Sequence, residues 1–187
     1  MNALILFGSP QLNGKTNTVL EKVLDLKDTP INFKRINLLN KDIHHCIGCN
    51  QCNTGDFRCI YDDDMVEIYK AIEGADLVVL ATPIYFNSVS SIMKTMIDRC
   101  QRFYNMKVNH HYEFKKKIGL LVATAGSKNP KSFESFLNVA DYFFLSINGT
   151  IEERLFINKT DDEDYLQRNL EKIETTKEFL CTIHKEL

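Results

Sequence analysis

The stretch Gly8-Ser9-Pro10-Gln11-Leu12-Asn13-Gly14-Lys15-Thr16-Asn17-Thr18 decides how this chain folds, because it lies where an apolar strand hands over to a helix. Before it, Ala3-Leu4-Ile5-Leu6-Phe7 is unbroken apolar, the pattern of a parallel strand covered on both faces. After it, Val19, Leu20, Val23 and Leu24 recur at helical spacing within residues 19–26, behind a Thr-Asn-Thr start suited to capping. A loop in that position aims backbone N–H groups and the positive end of a helix dipole at one spot, which favours a phosphate. Ser9, Asn13, Thr16, Asn17 and Thr18 add side-chain donors, and Lys15 adds a charge.

Gly14-Lys15-Thr16 also matches the end of the nucleotide triphosphatase P-loop, but the spacing differs. Five residues separate Gly8 from Gly14 where that motif has four, and Ser9 takes a position that favours glycine. The apolar runs also end in Ala81-Thr82-Pro83 and Ala123-Thr124, without the carboxylate that helps hold magnesium.

The chain has 187 residues and a net charge of −2, with Lys and Glu interspersed, so it reads as a single domain with no global pull toward nucleic acid or an anionic membrane. Met1 leads directly into a core strand without a basic leader, and no apolar run reaches membrane-spanning length. A cytoplasmic location is therefore expected. Six Cys in such a compartment point to metal or redox chemistry rather than a disulfide framework.

Alternation predicts an edge strand at 31–38, followed by a long loop at 40–61 that reads as a functional insertion. Asp62-Asp63-Asp64 opens a helix ending at Gly74 and reads as capping and dipole complement. Strands are expected at 76–82, 117–124 and 150–157, and helices at 88–104, 131–146 and 164–185. Strand and helix alternate, which implies an open parallel sheet with helices on both faces and ligands at the carboxyl ends of its strands.

That edge gathers three loops. Pro83-Ile84-Tyr85-Phe86-Asn87-Ser88 offers two aromatics and backbone amides to a planar ring, with Ser88 or Ser90 capping the next helix. Thr124-Ala125-Gly126-Ser127 leaves space beside it. A phosphate seat and a ring slot together suggest FMN.

Gly8-Ser9-Pro10 with Asn13-Gly14 and Thr16, Thr82-Pro83-Ile84-Tyr85 with Ser88, and Met93-Lys94 with Ile97-Asp98-Arg99 resemble the flavodoxin-like NAD(P)H-dependent FMN reductase family. The resemblance implies a flavodoxin-like three-layer sandwich with a five-stranded parallel sheet of order 2-1-3-4-5. It assigns the phosphate to Ser9, Asn13, Lys15 and Thr16, with Gln11 and Asn17 in the same loop, and the ring to Pro83 through Ser88 beside Thr124 and Gly126. Gln11 stands where many members have Arg, and Lys15 where many have Asn. The family also implies NAD(P)H as electron donor and a homodimer or homotetramer, for which Phe103-Tyr104 and Tyr142-Phe143-Phe144 are candidate faces as well as candidate core.

Cys46, Cys49 and Cys52 stand two residues apart, and Cys59 follows after six more. Four thiolates at such gaps can surround a [4Fe-4S] cluster, although the bacterial ferredoxin run has a three-residue last gap and a following Pro, where Ile60 stands here. With Tyr61-Asp62-Asp63-Asp64-Met65 behind it, the run resembles the iron-sulfur flavoproteins of the same family. Zinc, a reversible disulfide, free thiols and a packing role remain alternatives, as do His44 and His45 as ligands. Cys100 and Cys181 read as isolated thiols.

The expectation is an FMN-dependent oxidoreductase passing electrons from NAD(P)H or a carrier to a quinone, nitro, metal or protein acceptor, with no protein acid or base nominated. The alternative is a flavodoxin-like electron carrier or thiol-based redox sensor without its own small-molecule substrate.

Overall fold

The computed structural model describes residues 1–26 and 29–183. Five strands, β1 (Asn2–Phe7), β2 (Asn32–Asn37), β3 (Leu77–Tyr85), β5 (Lys117–Thr124) and β6 (Gly149–Ile157), form a parallel sheet in the order β2-β1-β3-β5-β6. A two-residue strand, β4 (Ser88–Val89), pairs antiparallel with the end of β3. Apart from that hairpin, the order is the flavodoxin-like one expected from the sequence.

Alternate side chains of the central strands feed two cores. Leu4, Leu6, Val78, Leu80, Leu121 and Ala123 face α2 (Met65–Gly74), α3 (Ser91–Arg99) and α5 (Glu134–Ser146). Ala3, Ile5, Phe7, Val79, Ala81, Leu120 and Val122 face α1 (Lys15–Leu24) and α6 (Leu170–Ile183). The apolar runs are continuous because both faces of the sheet are covered. At the β6 edge, exposed Thr150, Glu152 and Arg154 restore alternation.

Several boundaries differ from the sequence reading. The first helix begins at Lys15, so Thr16, Asn17 and Thr18 sit in its first turn rather than before it. The helix expected over 88–104 starts at Ser91, because Ser88 joins the hairpin and Ser90 is the residue whose hydroxyl accepts from the Met93 amide. It also breaks at Cys100, continuing as α4 (Gln101–Tyr104) and a π-helical turn over Asn105–Asn109. A 3-10 turn, Pro130–Phe133, precedes α5, and α6 starts at Leu170; the expected end of that helix at 184–185 lies outside the described residues. Of the aromatic clusters, Phe103, Phe143 and Phe144 are core, whereas Tyr142 is exposed.

Candidate functional site

The first loop leaves β1 beneath β3 and α3. The Gly8 amide donates to the Ala81 carbonyl, and the Ser90 hydroxyl donates to the Gly8 carbonyl. Gly8 is required there: a Cβ would lie 2.7 Å from the Cβ of Met93. Ser9 is buried, and its hydroxyl donates to the Gln11 carbonyl while accepting from the Gln11 amide, which turns the chain toward Asn13. Gly14, the residue before α1, gives the helix no side-chain cap. The N–H groups of the first turn thus keep the orientation that suits an anion.

Two side chains of that turn fit a bound group. The Thr16 hydroxyl is buried 2.6 Å from the Thr124 hydroxyl, joining the first loop to the end of β5. Asn17 Oδ1 is buried without a partner among the described residues; its amide can be turned to offer NH₂ instead. Lys15 places Nζ 4.8 Å from the centre of the Tyr165 ring, a cation–π contact within reach of the loop. Gln11 and Asn13 are exposed at the rim.

At the neighbouring strand end, β3 runs on to Tyr85, with Thr82 and Pro83 still paired to Ala123 and Thr124 of β5. The turn to β4 puts Phe86 and Asn87 at φ of 49° and 57°, a two-residue hairpin of the I′ kind. Phe86 is fully exposed at its tip and Tyr85 half-exposed, whereas Pro83 and Ile84 are buried. The Ser88 hydroxyl accepts from Ser135 of α5 at 3.2 Å. Gly126 is closely approached by the Asp161 carboxylate from the loop after β6, a neighbour that sequence spacing does not reveal because 34 residues separate the two.

The Cys loop leaves the sheet after β2. Its outgoing and returning arms are joined where the Asp42 amide donates to Asp64, the Asp64 amide to the Asp42 carbonyl, and the His44 amide to Asp63. Arg99, the last residue of α3, donates Nη1 to Asp63 Oδ2 at 2.5 Å, Nη2 to Asp63 Oδ1 at 3.1 Å and Nη1 to the His44 carbonyl at 2.7 Å. Burial opposes ionisation of Asp63, but the Arg99 hydrogen bonds and the His44 and Met65 amides more than reverse this and hold its carboxyl below the usual range. By residue type alone these acids read as caps. Asp63 does accept from the Met65 amide, yet its side chain is 2% exposed and serves mainly Arg99.

Held this way, Cys46, Cys49, Cys52 and Cys59 line one cavity with Tyr61, Tyr69, Arg99 and Gln101. Gly48, at φ 66°, makes the bend between the first two thiols. All four Cys are free thiols. Asn105 Nδ2 donates to Cys52 Sγ at 3.3 Å; burial pushes that thiol up against this hydrogen bond. Arg102 Nε donates to the Phe57 carbonyl and Asn109 to Asn53, so the segment after α3 anchors the loop at three more points. Cys100 is buried under α3 and outside this cavity, and Cys181 is exposed.

A family model described as NADPH-dependent FMN reductase matches residues 1–133. The chain belongs to that family. Among curated proteins it is similar to an iron-sulfur flavoprotein of Archaeoglobus fulgidus, 31% identical over 140 residues, covering 74% of this chain and 61% of that protein. An iron-sulfur flavoprotein of Methanocaldococcus jannaschii is 28% identical over 146 residues, 78% of this chain and 72% of that one. The match thus spans about three fifths of the length of the first relative. Among solved structures, an FMN-dependent NADH-azoreductase from Bacillus anthracis in complex with FMN superposes with a TM-score of 0.66 at 15% identity, over 96% of this chain and 98% of that one. An NAD(P)H:quinone oxidoreductase from Methanothermobacter marburgensis gives 0.63 at 14%, over 98% and 96%. These two likenesses speak for the fold.

Proposed function

We propose that this member of the FMN reductase family is an iron-sulfur flavoprotein oxidoreductase. It takes electrons from NAD(P)H or a redox carrier and delivers them, through FMN and a [4Fe-4S] cluster, to a quinone, nitro, metal or protein acceptor. The observation that carries the reading is the convergence of Cys46, Cys49, Cys52 and Cys59 on one cavity. Among the described residues no three His, Cys, Asp or Glu come together closely enough for a single ion. The cluster reading therefore rests on the shared cavity and on the two-residue gaps of Cys46, Cys49 and Cys52 in sequence.

When bound, FMN supplies hydride and single-electron transfer, and the cluster one-electron transfer. The chain's own contribution is to hold and orient. Ser9, Gln11, Asn13, Lys15, Thr16 and Asn17 would take the phosphate at the uncapped start of α1. Pro83, Ile84, Tyr85, Phe86, Asn87 and Ser88 would lie along the ring, with Thr124 and Gly126 beside it. Helix α3 links the two sites, since Ser90 before it bonds Gly8 and Arg99 at its end lines the Cys cavity. Its nine residues span roughly 14 Å at 1.5 Å per residue.

We place the protein in the cytoplasm as a homodimer or homotetramer with a small-molecule or protein redox partner. Among the described residues no helix is long and apolar enough to cross a membrane. The decisive assay is oxygen-free NADH and NADPH oxidation by the FMN-loaded protein with a quinone as acceptor. Steady turnover supports the reductase; flavin reduction only through a reduced carrier protein supports the electron-carrier alternative.

A further inference from the structure

Arg99 does more than tie the loop. Its side chain is 1% exposed, yet it lines the cavity of the four Cys, whereas its counter-ion Asp63 does not. Nη1 and Nη2 are committed to Asp63 and the His44 carbonyl. Nε is buried with no partner among the described residues. A buried donor left unpaired costs about 1–3 kcal/mol, and more on a charged group. Only arginine has the rigid fork that can hold the two arms of the loop with two nitrogens and keep a third free.

Resting on the cluster reading above, we propose that Arg99 is the polar partner of the group held by Cys46, Cys49, Cys52 and Cys59. Its Nε–H donates to one of the sulfurs, and its buried charge raises the reduction potential. A thiolate-bound cluster is an anion whose negative charge grows by one with each electron it accepts, so a fixed cation and a hydrogen bond to sulfur both favour the reduced form. One electron enters and no proton moves, because the guanidinium stays protonated. The opposing charge of Asp63 moderates the effect from behind, with Arg99 between it and the cavity.

A role confined to pinning the loop would alter folding and cluster retention but not the potential in a sign-dependent way. The test is a spectroscopic redox titration of the oxygen-free, reconstituted FMN-bound protein and three variants, with iron, sulfide and flavin assayed in each. Arg99→Gln removes the cation and lowers the midpoint by an amount that cuts the reduced-to-oxidised ratio at fixed poise about tenfold, about 59 mV for one electron. Asp63→Asn removes the counter-charge and raises it. The double variant removes both buried charges, a change that cores often tolerate, and titrates below wild type. It decides the matter if either single variant fails to fold. An Arg99→Gln midpoint equal to wild type, or, where that variant does not fold, a double-variant midpoint no lower than wild type, overturns the role of Arg99 and leaves the cluster reading intact. A wild-type protein that retains flavin but takes up no iron overturns both.

Discussion

The hydroxyls of Thr16 and Thr124 lie 2.6 Å apart, fastening the first turn of α1 to the last residue of β5 across 108 positions of sequence. This contact brings the loop proposed for the phosphate to the strand ends proposed for the ring, since β3 and its hairpin lie between β1 and β5. Thr124→Val keeps the shape but strands the Thr16 hydroxyl. The expected loss is about 1–3 kcal/mol of stability, read by denaturant unfolding, with weaker FMN retention on gel filtration.

Gly8→Ala tests the seat from below. The added carbon would meet Met93 Cβ at 2.7 Å, where only a backbone shift relieves the clash. Overpacking of this kind costs about 1–3 kcal/mol. The loop should move off the Ala81 carbonyl, and fluorescence titration should show apoprotein that binds FMN at least tenfold more weakly.

Phe86 presents a different trade. It adopts φ 49° while fully exposed, so it gains nothing from burial and bears the strain of the left-handed region. Phe86→Gly should therefore raise thermal stability by up to about 1 kcal/mol while slowing reduction of the bound flavin, if the ring at the hairpin tip contacts cofactor or donor. Gain of stability with unchanged kinetics would assign Phe86 to another surface.

Asp63 links the Cys loop to pH. Its carboxyl titrates below the usual 3.8 in the fold, so its stabilising contribution is complete above that value. The contribution is lost as pH falls through the depressed folded value, because the unfolded chain binds the proton first. Acid unfolding of the iron-free protein should steepen there. Asp63→Asn should lack that step and lose about 3–5 kcal/mol at neutral pH, where it leaves Arg99 unpaired.

The sheet was legible because both faces of β1, β3 and β5 are covered, which writes itself as runs such as Leu77-Val78-Val79-Leu80. The helix starts were less so. Thr16, Asn17 and Ser88 are all plausible caps by residue type, but Ser90 takes the capping role at α3, and pairing with β3 draws Ser88 into β4. Arg99 and Asp63 were hidden for a related reason. One sits in an amphipathic helix and the other in a run of three acids, settings in which a charge usually faces water. Only the return of the Cys loop against α3 makes them a buried pair.

Oxygen-free purification, with absorbance, iron and acid-labile sulfide measured per flavin, asks whether the four thiols of the Cys loop hold a cluster beside an FMN site. The expected result is flavin bands over a broad brown shoulder with about four irons per chain, and a Cys52→Ala protein that keeps the flavin and loses the iron. Flavin bands without iron in the wild type, even after anaerobic reconstitution, would mean that the four thiols hold no cluster.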